Sequence, residues 1–105
     1  MAKYLLVYHG GGGMAEGEEA QAKVMEAWGA WFQNLGPALV DGGNPVSQTK
    51  TVAADGVSDG GGSNPSTGYS LIEADSIDSA VALAKGCPVL GGGATVEVAE
   101  TFNAM

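Results

Sequence analysis

GYSLIEADSIDSAVALAKGCP, residues 68–88, holds a strand, a helix cap, an amphipathic helix and a stop in unbroken succession. Tyr69 to Ala74 is a short aromatic and aliphatic run bounded by Gly68 and by Asp75-Ser76, which predicts a strand. Ser76, or Asp75, stands where a helix N-cap belongs, and Asp78 adds negative charge to the positive end of the helix that follows. Ile77, Ala80, Val81 and Ala84 recur at helical spacing. Gly86 occupies the place of a left-handed terminal residue, and Pro88 forbids continuation.

Working outward, Lys3 to His9 predicts a strand with Tyr4, Leu6 and Tyr8 on one face and Leu5, Val7 and His9 on the other. Both faces are largely apolar, as in a central strand covered on both sides. Gly10 to Gly13 is a connector. From about Gly17 to Leu35, the apolar residues Ala20, Val24, Met25, Ala27, Trp28, Trp31, Phe32 and Leu35 fall in an arc of roughly 160° on a helical projection. Glu18 and Glu19 suit the start of that helix, Glu19 can pair with Lys23, and Gly36-Pro37 end it.

Ala38 to Pro45 reads as irregular, Gln48 to Ala53 as an edge-type strand, and Asp55 to Thr67 as a long Gly, Ser, Asn and Pro-rich loop. Val89 to Gly93 is a second connector, and Thr95 to Glu100 a last strand. The order β-α-β-β-α-β predicts one α+β domain over residues 1–105: a ferredoxin-like, antiparallel four-stranded sheet with two helices on one face. The uncovered face carries Leu5, Val7, Tyr69 and Leu71, so a homodimer pairing these faces is expected.

Composition narrows the partners. Of 105 residues, 12 are acidic and 4 basic, a formal charge of −8. Such a surface disfavours nucleic acid, whose affinity comes from Lys and Arg displacing counterions, and it disfavours anionic membranes. The opening MAKYLLVYHG has too short an apolar run for a secretory leader, and nothing approaches a membrane span, so a cytoplasmic protein is expected. A single cysteine permits no internal disulfide.

Four features resemble the YCII-related proteins, small bacterial domains of the dimeric α/β-barrel type: the strand KYLLVYHG, the Trp-x-x-Trp-Phe helix ending in Leu-Gly, Asp59-Gly60 ahead of a Gly-Tyr strand, and the Ile-Glu-Ala-Asp-Ser segment running to Cys87-Pro88. The resemblance covers nearly the whole chain and implies that fold and a dimer. It also implies kinship with cofactor-independent lyases, isomerases and oxygenases, and with domains encoded beside extracytoplasmic-function sigma factors. Where one branch has Asp-Gly-Pro-Phe, this chain runs Asp59-Gly60-Gly61-Gly62. Where the resemblance implies that another branch places a catalytic His and Asp, this chain holds Met25, or a neighbour on that helix, and Cys87.

His9 is the only histidine and stands at the end of the first strand, where a pocket can open. Paired with Asp59 it is the candidate general base; otherwise it is a strand-end His bonded to backbone or solvent. Asp59 and Asp41 each precede a Gly and are equally at home as turn residues. Trp31 and Tyr69 are the candidates to contact a flat ligand, with Trp28, Trp31, Met25 and Phe32 alternatively core. Glu73 and Glu97 are acids in otherwise apolar strands: acid–base groups if burial in the dimer interior raises their pKa, with Glu73 also a candidate ligand contact, and solvated or paired carboxylates at the sheet edge if not.

Cys87, beyond a helix C-terminus, reads as a packing residue. Gly10 to Gly13 lacks the Lys-Ser/Thr of a phosphate loop, the Asp55–Ser66 run departs from a calcium loop, and one His with one Cys makes no zinc set. No metal and no cofactor are expected. Two functions follow: a cofactor-free enzyme moving a proton on a small organic acid or phenol, or a non-catalytic ligand-binding or regulatory homodimer, tied by the resemblance to a sigma factor.

Overall fold

The computed structural model describes residues 2–11 and 17–104. Half of the connector read at Gly10 to Gly13, Gly12 and Gly13, lies outside them. The main sheet has four strands, β1 (Ala2–His9), β2 (Leu39–Asp41), β5 (Ser66–Ala74) and β6 (Thr95–Glu100), in the order β2-β5-β1-β6. A separate hairpin is formed by β3 (Lys50–Ala53) and β4 (Gly56–Asp59). Every neighbouring pair is antiparallel. With α1 (Glu18–Leu35) and α2 (Ile77–Ala84), this is an α+β fold compatible with the ferredoxin-like arrangement.

Alternation along the strands decides what is buried. Tyr4, Leu6 and Tyr8 of β1, with Ser70, Ile72 and Ala74 of β5, turn to the helices and are buried. Trp31 and Leu35 of α1 and Ala80 and Ala84 of α2 meet them from above. Only the C-terminal half of α1 docks. Val24 and Met25, read as part of its apolar arc, are exposed, because the first turns of α1 have no sheet beneath them.

The ends of α2 follow local chemistry with one correction. Ser76 caps the helix, its Oγ accepting from the Ser79 N–H at 3.1 Å. Gly86 is not left-handed: Gly86 donates its N–H to Leu83 instead. Glycine suits the tight space there, since a Cβ would stand 3.2 Å from Trp31 Cδ1. At the end of α1, Gly36 does take positive φ, and its N–H bonds Phe32 O.

Three readings of the middle of the chain are overturned. Gln48 to Ala53 supplies β3, which pairs only with β4 and never joins the main sheet. The sheet's edge is β2, inside the stretch read as irregular. The segment read as a loop from Asp55 contains β4 and the start of β5. The cause is physical: β2 has three residues and a broken register, too short for alternation to register. It is held by pairing from afar, Leu39 against Ile72 and Asp41 against Leu71, and the chain beyond it stays on β5, with Tyr69 N–H donating to Asn44 O at 3.3 Å and Val46 N–H to Thr67 O at 3.0 Å.

The molecule is a slab, 44 × 41 × 18 Å. A sheet with one layer of helices, about 10 Å between layers, accounts for that thickness. The radius of gyration, 15.0 Å, exceeds the roughly 13 Å of a compact chain this long. Among the described residues no helix covers the second sheet face, where Tyr69 is exposed, and the outline is spread.

Candidate functional site

The uncovered face has an ordered layout set by strand register. Tyr69, Val7 and Glu97 form one row across β5, β1 and β6; Leu71, Leu5 and Ala99 form the next. Beyond these, Glu73 stands opposite Lys3. The face is thus apolar in the middle and polar at both ends. Leu5, Val7, Leu71 and Ala99 are only partly shielded, and Tyr69 is exposed.

His9 closes one end of this face. Its Nε2 lies 2.9 Å from Glu97 Oε1, and its Nδ1 lies 3.0 Å from Asn64 O and 3.3 Å from Pro65 O. Carbonyl and carboxylate oxygens only accept, so both ring nitrogens must donate for every contact to be satisfied. That is the imidazolium. In the neutral ring, a lone pair would face either the Glu97 carboxylate or a carbonyl. Accordingly the His9 pKa is raised above its ordinary value, chiefly by the hydrogen bond to Glu97, with partial burial opposing. The side chain of His9 is only 11 % exposed, against 62 % for Glu97, so the carboxylate is the movable partner.

Asp59 does not serve His9. Its Oδ1 accepts from Lys50 Nζ at 2.8 Å across the β3–β4 hairpin, where the two residues are register partners. Hairpin pairing fixes that side chain, which sequence spacing could not foresee. Asp41 takes the turn role: its Oδ1 accepts from the Gly43 N–H at 2.8 Å. Trp31 is core, with Nε1 donating to Leu83 O at 3.1 Å. Tyr69 and Glu73 do lie on the open face, and of the two readings of Glu97 the structure has the paired carboxylate.

Among the described residues, Tyr8, Trp28, Trp31 and Phe32 fill the space between the sheet and α1, with neighbouring ring centroids 5.6–5.7 Å apart. Beneath them, Tyr8 Oη donates to Ser70 Oγ at 2.6 Å, which donates to Gly42 O at 2.7 Å. Cys87 also reaches the Tyr8 hydroxyl, and burial pushes both the phenol and the thiol up. Neither is ionised at neutral pH, and this polar cluster is structural. A shallow groove of about 490 Å³ runs between α1 and α2, past Ala30, Trp31 and Leu83, away from His9.

No group of His, Cys, Asp and Glu suited to a metal ion occurs among the described residues, and no described helix is long and apolar enough to cross a membrane. The architecture and the site together define a small α+β domain with one roofed and one open sheet face, bearing a histidine–carboxylate pair at the open face's end. No protein-family model and no curated protein matches the sequence.

The pair makes a direct prediction. A raised pKa in the fold means that the His9–Glu97 contact stabilises the protein below the unfolded value of about 6.5, and that this stabilisation is lost as pH rises through the folded value. Glu97→Gln should therefore lower the His9 pKa in an NMR titration. Its stability deficit against the natural chain should be larger at pH 6 than at pH 9. An unchanged titration midpoint would show that Glu97 does not hold the proton.

Proposed function

We propose that this chain is a YCII-related domain that works as a homodimer of the dimeric α/β-barrel type, binding a small organic ligand between the paired sheet faces beside His9. The observation that carries the reading is the uncovered sheet face with Leu5, Val7 and Leu71 at its centre, in a slab only 18 Å thick. Contiguous apolar surface of this kind marks an interface. Tyr69 offers a flat aromatic wall and Glu73 and Glu97 polar groups at the two ends.

The non-catalytic form of this reading is favoured by His9 itself. A general base needs a free lone pair, and both nitrogens here face acceptors. A regulatory ligand-binding homodimer, of the kind encoded beside sigma factors, asks only for the protonated ring and the wall. The same protonated ring supports one further reading: with Glu97 swung aside, His9 is positioned as a general acid towards a small substrate.

Two measurements test this. In sedimentation equilibrium the chain should be dimeric, and Leu5→Glu should weaken the dimer by about 100-fold or more, because two like charges would be buried across the two-fold axis. Helical circular dichroism should be unchanged, as Leu5 lies outside the core. A monomeric natural chain at high concentration sinks the dimer. For the ligand, small organic acids and phenols should raise the melting temperature of the natural chain but not of Tyr69→Ala; uniform silence across such a panel would remove the binding reading. Turnover lost in His9→Asn with the dimer intact would favour the acid-catalyst form.

A further inference from the structure

The β3–β4 hairpin is the least explained part of the fold. All eight of its strand residues are exposed. One face carries the Lys50–Asp59 ion pair and then, towards the tip, Val52 directly opposite Val57. These valines are 77 % and 64 % exposed. A lone two-stranded hairpin is marginal in water and gains stability only by packing its apolar side against something.

We propose that this hairpin is an arm that packs on a second copy of the chain, so that each subunit's arm extends the sheet-face interface at the His9 end. The inference rests on the dimer reading above. Three observations select a second copy as the occupant. First, the open face alone is small: four strands about 4.8 Å apart and about six residues long give a footprint of roughly 400 Å². Stable dimers bury about 800 Å² per partner, so further surface is needed. Second, both halves of the required contact are on one chain, an apolar arm tip and an apolar sheet face, which is the self-complementarity that a two-fold axis demands. Third, the molecule is only 18 Å thick along its short axis, so the arm extends within the slab, and its valines are left without cover from its own chain.

The arm's root is tied to the site. Gly60 N–H donates to Thr49 O at 3.0 Å, and Thr51 Oγ1 donates to Gly60 O at 2.8 Å. A Cβ on Gly61 would come within 3.0 Å of Pro65 Cβ, and the Pro65 and Asn64 carbonyls are those that His9 Nδ1 meets. His9 thus pins the segment from which the arm springs. The arm of each subunit forms a wall of the cleft in which His9 and Glu97 stand, and that cleft is incomplete without the second copy.

The test uses the full chain with Val52→Ser and Val57→Ser combined. Sedimentation equilibrium should show a dissociation constant at least about tenfold weaker than that of the natural chain, since both apolar contacts are lost twice per dimer. In the natural chain, amide exchange over residues 51–58 should be slower at concentrations where the dimer forms than at dilution where it does not. This second measurement needs no variant and so stands if the double variant folds poorly. A dimer of undiminished affinity, with arm amides exchanging equally at both concentrations, overturns the arm while leaving the sheet-face dimer intact. A natural chain that stays monomeric overturns both.

Discussion

Gly43→Ala should destabilise the fold by about 3 kcal/mol or more, the largest loss expected from any single methyl group in this chain. Gly43 has φ +74°, and a Cβ built there would stand 1.7 Å from the Tyr69 carbonyl oxygen. Two costs therefore combine. A left-handed backbone costs an L-residue about 1–2 kcal/mol, and the clash is with backbone, which cannot rotate away. Relief requires moving residues 42–44 off β5. That movement breaks the Tyr69 N–H bond to Asn44 O and disturbs Gly42 O, which accepts from Ser70 Oγ. The last effect reaches the core, because Ser70 is completely buried and also accepts from Tyr8. For a domain of ordinary stability, 5–15 kcal/mol, urea unfolding should show a clearly lower midpoint. A midpoint within error of the natural chain would mean that β2 is not held against β5 as described. Gly42→Ala is the control: a Cβ there meets only the Phe32 ring edge at 3.2 Å, so the loss should be smaller.

Trp31→Ala should cost about 3–5 kcal/mol, the range for emptying a large aromatic site in a core. Trp31 is 5 % exposed and packs against Trp28 and Phe32, and Trp28 in turn meets Tyr8 edge-on. It is also the main link from α1 to α2, through Nε1–H to Leu83 O. Leu83 O keeps the Gly86 N–H when the indole is removed, so the loss comes mostly from packing and not from an orphaned carbonyl. Trp31→Phe should consequently recover most of the stability, giving up the hydrogen bond and part of the volume. If Trp31→Phe were as damaging as Trp31→Ala, the hydrogen bond and not the cavity would dominate. Because His9 lies on the opposite face of the sheet, its NMR titration should be unaltered in the folded fraction of either variant.

The open face raises the question of why an acidic chain would pair with itself. The charges at the face are arranged by register: Lys3 opposite Glu73 at one end, and His9, a cation when protonated, against Glu97 at the other. Each end sets one carboxylate against one basic group, and the middle carries neither. Self-association through this face therefore does not require carboxylates to be packed without counter-charges. The self-repulsion of a net charge of −8 acts at longer range and is screened by salt, so the proposed dimer should tighten as ionic strength rises.

Much of this molecule was legible in the sequence wherever one residue's neighbours in the chain are also its neighbours in space. The Ser76 cap, the helix from Ile77, the alternation of Tyr4, Leu6 and Tyr8 and the stop at Gly36 depend on contacts within a few residues, and periodicity reports such contacts directly. The sequence by itself therefore determined the two helices, the three long strands and which face of β1 is buried. Only the tertiary structure decided the rest. β2 exists because Leu39 and Asp41 meet β5 residues, Ile72 and Leu71, about 30 positions later, and no local pattern encodes that meeting. Likewise His9 meets Glu97 and not Asp59, since cross-strand register places β6 beside β1 while the hairpin gives Asp59 to Lys50. Side-chain partners across 88 residues are a property of the folded sheet, in which register fixes every neighbour at once.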